Sequence, residues 1–473
     1  MLETSLLWFI PPVHIVMAVL ASGHALLNKM DSRAAFGWIA LCIILPLMGP
    51  ILYLIFGINR VNSAARRHYV IKLHKDSTET VTEPPGTHFR PLSTVGEKLV
   101  QKGLTSCDDV DILQNGEALY PAMLEAIAEA RHHVLLYTYI FDRDETGLRF
   151  VDALAAAMER GLEVKVIVDG MGEWNGGLRR IGSLLRRRGI PFTRFNQITL
   201  LPPALNINLR SHRKMLIVDN RYAFTGGSNI GDRHLADREN NAHRVLDIHF
   251  RLQGRIVDEL EWAFRRDWHY CKGNRSPLSP FKHSNPNRLD APVWTRLVLD
   301  GPNKSLDRLN DLMLGVISAA RTRVWIMTPY FLPTLDLIGA LTAAQLRGVD
   351  VQILLPGLNN IKPAHWASRN ILRQVLESDI QVAYQPGPFV HAKLLLVDEQ
   401  YSLVGSTNMD PRSLRLNYEL GVELFSADIN RQLCEYFSAR RAIASPITRA
   451  EIDSRALPER LRDSIAWLFS PYL

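Results

Sequence analysis

The sequence HRKMLIVDNRYAFTGGSNI, at residues 212–230, has a close counterpart in HAKLLLVDEQYSLVGSTNM, at residues 391–409. Each copy contains a histidine, a lysine two positions later, an apolar run, an aspartate and a Gly-rich turn that leads to an asparagine. The apolar runs predict buried strands, and residues two apart on a strand point to the same face. The imidazole and the ammonium group of each copy can therefore converge on one anionic group, such as a phosphate.

The similarity between the two copies extends upstream. Residues 122–141 match residues 312–331, and residues 154–170 match residues 341–357. Each unit reads as an apolar-periodic helix, a strand, a second helix that ends at a glycine, and another strand. Alternating helices and strands predict an α/β fold, and the duplication predicts two similar lobes with mixed sheets flanked by helices.

The composition sets limits on the class of protein. The chain has 473 residues, of which 47% are hydrophobic and 22% charged, so disordered, collagen-like and disulfide-scaffold classes are excluded. The net charge of +7 suits an anionic partner. The four cysteines show no metal-ligand or disulfide spacing, and we expect no metal and no cofactor. They are Cys42, Cys107, Cys271 and Cys434.

Two apolar segments near the start, about residues 6–27 and 34–56, are each long enough to cross a bilayer. Together they predict a two-span transmembrane hairpin, although the first segment could instead be a cleaved signal peptide. Basic residues follow the second segment, and the positive-inside rule then places the rest of the chain in the cytoplasm. These basic residues are Arg60, Arg66, Arg67, Lys72 and Lys75.

The chain accordingly divides into six predicted regions. They are a transmembrane hairpin (1–57), a connector (58–107), the first lobe (108–275), a linker (276–295), the second lobe (296–449) and a C-terminal helix (450–473). Within the first lobe, RRIGSLLRRRG at 179–189 predicts an amphipathic helix whose basic face is either solvated or in contact with anionic headgroups. The final helix either packs on a lobe or touches the membrane.

A metal-independent site that transfers a phosphoryl group needs one nucleophile and one general acid. Each lobe supplies a single histidine in the repeated motif, so two lobes that face each other supply both, which gives the duplication a mechanistic reason. Asn229 and Asn408 would add amide donors for phosphate oxygens.

The motif HxKx4D followed by GSxN resembles the signature of the phospholipase D superfamily, over roughly residues 108–445. More narrowly, residues 210–233, 249–254 and 408–421, the SPYL end and the N-terminal hairpin are similar to bacterial cardiolipin synthases. The chain departs from the superfamily pattern at Gly227, where the signature has a serine.

The resemblance implies a role for each residue of the motifs. One histidine attacks phosphorus and the other serves as general acid and base, and we expect His212 to be the nucleophile and His391 the acid and base. The lysines and asparagines are implied to hold phosphate oxygens, and the aspartates to support the motif structurally. These residues are Lys214, Lys393, Asn229, Asn408, Asp219 and Asp398.

Each histidine also needs a hydrogen-bond acceptor that fixes its tautomer. Aligning residues 247–252 with 419–424 pairs Asp247 with Glu419, and we expect Asp247 to orient His212 and Glu419 to orient His391. Either carboxylate could instead lie on the surface. Six further histidines lack a counterpart in the repeat and are interpreted as surface or structural residues: His132, His133, His234, His243, His249 and His269.

The resemblance implies transfer of a phosphatidyl group from one phosphatidylglycerol to another, giving cardiolipin and glycerol through a phosphohistidine. The alternatives are a phospholipase D-type hydrolase, another phosphatidyltransferase, a nuclease of the superfamily and a non-catalytic membrane scaffold. The expected partners are membrane phospholipid and the bilayer, with no nucleic acid, and the expected location is the bacterial inner membrane, with the lobes in the cytoplasm.

Overall fold

A computed structural model describes residues 2–29, 31–57, 90–176, 180–197, 199–200, 203–204, 209–238, 240–273, 292–302 and 305–470. The chain separates into two units, residues 1–67 and residues 68–473.

The N-terminal unit is a helical hairpin. Its elements are α1 (Leu2–Asn28), α2 (Ser32–Ile44), α3 (Met48–Leu52) and a π-helical turn (Tyr53–Gly57). The carboxylate of Asp31 caps the start of α2. Ala25, Cys42 and Tyr53 are completely buried where the helices meet.

The second arm of this hairpin is not one continuous helix, which corrects the prediction of an unbroken span over residues 34–56. The helix stops before Pro46, because proline disfavours helical geometry in the residue before it, and Leu47 has a φ of 60°. Within the part of the chain that the structure describes, no helix combines the length and the apolar character needed to cross a bilayer.

The first half of the large unit contains eleven strands and five helices among the described residues. In chain order they are α4 (Arg90–Val100), β1 (Thr105–Cys107), β2 (Asp109–Gln114), α5 (Asn115–Glu129), β3 (His133–Thr138), α6 (Glu145–Glu159), β4 (Glu163–Asp169), α7 (Ile181–Arg187), β5 (Phe192–Phe195), β6 (Thr199–Leu200), β7 (Pro203–Ala204), β8 (Met215–Val218), β9 (Tyr222–Gly226), β10 (Val245–Leu246), β11 (Ile248–Gln253) and α8 (Ile256–Cys271). Short 3₁₀ turns lie at Gly172–Gly176 and Asp232–His234.

The second half repeats this order of elements. It contains β12 (Val293–Asp300), α9 (Arg308–Ala319), β13 (Arg323–Met327), α10 (Leu335–Leu346), β14 (Asp350–Pro356), α11 (Lys362–Leu376), β15 (Gln381–Gln385), β16 (Phe389–Val390), β17 (Leu394–Val397), β18 (Tyr401–Gly405), α12 (Pro411–Arg415), β19 (Glu419–Phe425), α13 (Ala427–Ala442), β20 (Ser445–Pro446), α14 (Arg449–Asp453) and α15 (Leu457–Leu468).

Two mixed sheets of matching order form the lobes. The first has the strand order β2-β11-β9-β8-β3-β4-β5, and the second contains the equivalent series β12-β19-β18-β17-β13-β14-β15 between β1 and β20. In each sheet the neighbouring pairs β3–β4–β5 and β13–β14–β15 are parallel and the other pairs are antiparallel. The α/β prediction with two similar lobes is confirmed.

Helices α6 and α10, which connect the first two parallel strands of each lobe, end as the sequence predicts, and a side chain caps the start of each. The side chain of Asp144 caps α6 and that of Thr334 caps α10, each accepting a backbone hydrogen bond. Gly161 and Gly348 follow these helices with φ values of 85° and 86°, which favour glycine. Each lobe has its own apolar core between its helices and its sheet.

The predicted connector is partly folded, although its residues 58–89 lie outside the described part. Helix α4 packs Leu92 into the core of the second lobe, and β1 pairs antiparallel with β12 of the same lobe. Regular structure therefore begins before residue 108, because apolar side chains on one face of α4 find a partner far along the chain. The predicted C-terminal helix is two helices, α14 and α15, and most of the predicted linker lies outside the described residues.

Candidate active site

The two motif histidines lie just before equivalent central strands, β8 and β17, and face each other between the lobes. The ring centroids of His212 and His391 are 6.5 Å apart, with an angle of 84° between their planes. Both residues are largely buried. The structure thus brings together the two histidines that the repeat predicts as a pair.

Backbone pairing between the lobes holds these segments in place. The amide N–H of His212 donates to the carbonyl of Tyr418 over 2.9 Å, and that of His391 donates to the carbonyl of Leu246 over 2.7 Å. Strand β10 of the first lobe also pairs with β16 of the second. The backbone of each histidine is therefore bonded to the other lobe. The bonded residue directly precedes Glu419 in one case and Asp247 in the other.

As a result, the carboxylates orient the histidines crosswise, and the predicted pairing within each lobe is wrong. Nδ1 of His391 lies 2.8 Å from Oδ2 of Asp247. Nδ1 of His212 lies 3.3 Å from Oε1 of Glu419 and 3.0 Å from the carbonyl oxygen of Ser406. Both carboxylates are completely buried, so neither is a surface residue.

These contacts fix the tautomers of both rings. A carbonyl oxygen and an ionised carboxylate only accept hydrogen bonds, so Nδ1 of each histidine must donate, and Nε2 carries the lone pair. Burial lowers the pKa of His212 and that of His391, and the neighbouring lysine ammonium groups lower both further. Both shifts favour the neutral imidazole when no substrate is bound, and the neutral form is the one that can attack phosphorus.

The motif lysines supply positive charge beside the rings. Nζ of Lys214 donates to the carbonyl of His212, and Nζ of Lys393 to that of His391, each over 2.6 Å. Nζ of Lys393 also lies 3.1 Å from Nε2 of His391. Burial lowers the pKa of Lys214 to about 7 and that of Lys393 to about 8, with the nearby carboxylates opposing this shift.

The two asparagines have different contacts. Oδ1 of Asn229 accepts from the backbone N–H of Ile140 over 3.1 Å, which orients its amide group. Nδ2 of Asn408 lies 3.3 Å from Oγ of Ser413, and its buried Oδ1 has no hydrogen-bond partner among the described residues. The pseudo-symmetry of the motifs therefore does not extend to the contacts of these amides.

The motif aspartates lie in the turns after β8 and β17, at the far ends of these strands from the lysines. Asp219 accepts from the backbone N–H groups of residues 131–133, and Asp398 from those of residues 321–323. Burial alone would raise the pKa of Asp219, but its three N–H donors lower it. Both aspartates connect a strand turn to the chain segment before β3 or β13.

Other buried groups surround the site. His234 and His249 are buried, and burial lowers the pKa of each to about 3. Nε2 of His234 accepts from the backbone N–H of Asn229 over 3.2 Å, so this histidine has a structural role. The ring of Tyr139, a residue that the sequence pattern did not single out, lies 5.2 Å from that of His212.

Among the described residues, no group of three or more His, Cys, Asp or Glu side chains is arranged to hold a metal ion.

The chain matches two protein-family models. The model described as "Cardiolipin synthase, PLD-like domain" matches residues 123–268 and 313–441, and the model described as "Phospholipase_D-nuclease N-terminal" matches residues 16–57. The first pair of ranges coincides with the two lobes.

Similar proteins include a cardiolipin synthase of a Geobacillus species, which is 30% identical over 446 residues and is aligned over 92% of this chain and 88% of the relative. The major cardiolipin synthase ClsA of Bacillus subtilis is 28% identical, over 94% of this chain and 95% of the relative. The solved structure of a phosphatidylserine synthase of Haemophilus influenzae superposes with a TM-score of 0.64 at 15% identity, over 81% of this chain and 100% of the other, which shows a shared fold.

Proposed function

Since the chain belongs to the cardiolipin synthase family with phospholipase D-like domains, we propose that it transfers a phosphatidyl group from one phosphatidylglycerol to another. The products are cardiolipin and glycerol. The observation that carries this proposal is the facing pair of buried histidines, 6.5 Å apart, each beside a lysine of its own motif and a carboxylate of the other lobe. In this proposal a single phosphoryl group binds between the two rings.

In the first step, Nε2 of His212 attacks the phosphorus of the donor lipid and the bond from phosphorus to the glycerol oxygen breaks. His391, protonated once the negative charge of the bound donor lipid stabilises its imidazolium beside Asp247, donates a proton to that oxygen. Lys214 and Lys393 stabilise the negative charge on the phosphoryl oxygens in the transition state. The product is a phosphohistidine and free glycerol.

In the second step, the terminal hydroxyl of a second phosphatidylglycerol loses its proton to the now neutral His391 and attacks the phosphohistidine. The bond between phosphorus and Nε2 breaks, and His212 returns to its neutral form with His391 protonated again. The sequence is a double displacement in which each histidine ends as it began.

The assignment of His212 as the nucleophile rests on the unequal partners of the two rings. Nδ1 of His212 makes its shortest contact with a neutral carbonyl, that of Ser406, which suits a ring that attacks in the neutral form. Nδ1 of His391 makes its shortest contact with the carboxylate of Asp247, which suits a ring that carries a proton for part of the cycle.

We further infer that the N-terminal unit holds the enzyme at the bacterial inner membrane as a two-span hairpin, with both lobes in the cytoplasm. The apolar residues of 6–27 and 34–56, the basic residues that follow and the matched N-terminal family model support this inference.

The direct test is product analysis of the full chain in mild detergent with a chelator, with phosphatidylglycerol as the sole lipid and mass spectrometry as the readout. Cardiolipin with an equal amount of free glycerol is the expected result. Phosphatidic acid alone would mean that water is the acceptor and would overturn the proposed transfer. Cardiolipin that forms only after phosphatidylethanolamine is added would overturn the assignment of phosphatidylglycerol as both donor and acceptor.

A further inference from the structure

Two loops flank the active site, one in each lobe, and both expose large apolar side chains. Residues 170–176 follow β4 and residues 357–361 follow β14, and we call them the rim loops. Trp174 is 51% exposed in the first, and Leu358 and Ile361 are 65% and 43% exposed in the second.

The rim loops occupy equivalent places in the repeat. Ile361 lies 187 residues after Trp174, the same offset that separates Gly357 from Gly170 in the aligned copies. Both loops leave the carboxyl end of a parallel strand, the edge at which α/β sheets place their ligand sites. An isolated exposed apolar residue is ordinary, but a matched pair on either side of one site requires an explanation.

The first rim loop is connected to His212. The backbone of Gly172 lies against the carbonyl of Tyr139, so closely that a Cβ there would be 1.8 Å from the oxygen. The ring of Tyr139 in turn contacts His212. Asp169 accepts from the N–H of Gly172 and, with its other oxygen, from the N–H of Ser211.

The second rim loop is connected to His391 by a series of aromatic contacts. Oη of Tyr330 donates to Oδ1 of Asn360 over 2.6 Å. The ring of Tyr330 lies 6.3 Å from that of Phe389, which lies 6.0 Å from that of His391. The first rim loop is therefore two contacts from His212, and the second is three contacts from His391.

The positive charge around the rim loops favours contact with an anionic surface. The guanidinium of Arg180 stacks on Trp174 at 4.1 Å, and the exposed Lys362 follows Ile361 directly. Within the described rim loops the sole carboxylate is that of Glu173, which is buried and bonded to Arg194 over 2.5 Å. Half-exposed Trp and aliphatic side chains beside Arg and Lys are the composition of segments that insert at a membrane interface.

We propose that the rim loops contact the surface of an anionic phospholipid bilayer and hold the active site against it, so that lipids enter without leaving an apolar environment. This inference rests on the proposed function, since that function supplies the lipid substrate. It adds a second membrane contact, within the catalytic lobes, to the one expected from the N-terminal unit.

A labelling experiment tests the contact independently of activity. Trp174→Cys and Ile361→Cys in the full chain are labelled with an environment-sensitive fluorophore and reconstituted in phosphatidylglycerol vesicles, with the unsubstituted chain as the blank for its own cysteines. The matched control is Leu346→Cys. Leu346 is 79% exposed at the end of α10, just before β14 begins, so it lies near the amino end of the strand whose carboxyl end leads into the rim loop.

The expected result is a blue-shifted emission and quenching by spin-labelled lipid at positions 174 and 361 but not at 346, with smaller effects in phosphatidylcholine vesicles. Equal signals at all three positions, or no quenching at 174 and 361, would overturn the proposal. Equal effects in both lipids would overturn the anionic preference. None of these fluorescence measurements depends on the formation of cardiolipin.

A kinetic comparison provides the second test. The measured quantity is the ratio of the rate on phosphatidylglycerol vesicles to the rate on a short-chain phosphatidylglycerol below its micelle concentration. The double variant Trp174→Ser, Ile361→Ser should lower this ratio by about tenfold or more. Leu346→Ser should leave this ratio unchanged. A ratio for the double variant equal to that of the unsubstituted chain would overturn the bilayer contact, while an absence of product from the unsubstituted chain on both substrates would count against the proposed function instead.

Discussion

Oδ2 of Asp247, in the first lobe, lies 2.8 Å from Nδ1 of His391, in the second. The reverse contact joins Glu419 of the second lobe to His212 of the first. Each histidine is therefore oriented by a carboxylate that the other half of the chain contributes. Each lobe supplies one of the two histidines and also the carboxylate that orients the histidine of the other lobe.

Replacing Asp247 with asparagine should leave the shape of the site intact but remove the charge that, in the proposed mechanism, stabilises the imidazolium of His391. We expect cardiolipin formation by Asp247→Asn to fall by about 10²- to 10⁴-fold, the usual contribution of a general acid. Steady-state kinetics with phosphatidylglycerol measure the effect, which should appear in kcat more than in KM.

Asp109→Asn is the matched control for this change, because Asp109 is exposed and bonds to Gln253 at the edge of the same sheet. It should have the kinetics of the unsubstituted chain. If Asp247→Asn were equally active, His391 would not depend on this carboxylate for its proton.

The contrast between these contacts and the sequence-based pairing shows what a repeat can and cannot predict. The spacing of His212 and Lys214 predicts a common face, because the alternation of side chains along an extended backbone is local. Aligning the copies correctly identifies Asp247 and Glu419 as equivalent residues. The alignment cannot tell which histidine each carboxylate reaches, because that depends on how the two lobes pair their backbones.

The same limit explains why the sequence does not assign α4 and β1 to the second lobe. Leu92 and its neighbours on α4 have no counterpart in the repeat, and the core residues that they join on β12 and α9 lie about 200 residues further along the chain. A local pattern therefore gives no indication of this contact. By contrast, strands β3, β4, β13 and β14 were predictable, because their apolar runs and flanking helices are contiguous in sequence.

The roles of the two histidines can be separated with an activated phosphodiester that has a p-nitrophenolate leaving group. This leaving group departs without a proton, so His391→Ala should still form the phosphohistidine at His212 and should then accumulate it, because no base remains for the acceptor. Intact-protein mass spectrometry followed by peptide mapping detects the adduct. An adduct at His391 in a His212→Ala variant, with none in His391→Ala, would reverse the assignment.

The pH dependence of kcat/KM should follow the two buried lysines. In the proposed mechanism their cationic forms hold the phosphate. Burial lowers the pKa to about 7 for Lys214 and about 8 for Lys393, so kcat/KM should fall as the pH rises through this range. In Lys393→Arg the guanidinium keeps its charge, and the part of the decline near pH 8 should disappear, although the absolute rate falls. Profiles of the same shape for both proteins between pH 6 and 9 would contradict this explanation.

Gly227 stands where the superfamily signature has serine, and its lack of a side chain has a structural reason. A Cβ at this position would lie 2.2 Å from Oδ1 of Asp247, which itself accepts from the N–H of Ile248. Gly227→Ala should therefore displace the carboxylate from His391 and lower kcat by about tenfold or more, with a loss of about 1–3 kcal/mol in the free energy of unfolding from overpacking.

Gly339→Ala is the control for the change at Gly227, because a Cβ on this residue of α10 meets nothing within 4 Å. It should keep full activity and gain about 0.5–1 kcal/mol in unfolding free energy, the usual difference between alanine and glycine inside a helix. Denaturant titration separates the two effects of Gly227→Ala. If the rate fell only in proportion to the unfolded fraction, Gly227 would be a packing residue without influence on the orientation of His391. A loss of rate in fully folded protein would show instead that the missing side chain is what lets the first lobe bring its carboxylate to the histidine of the second.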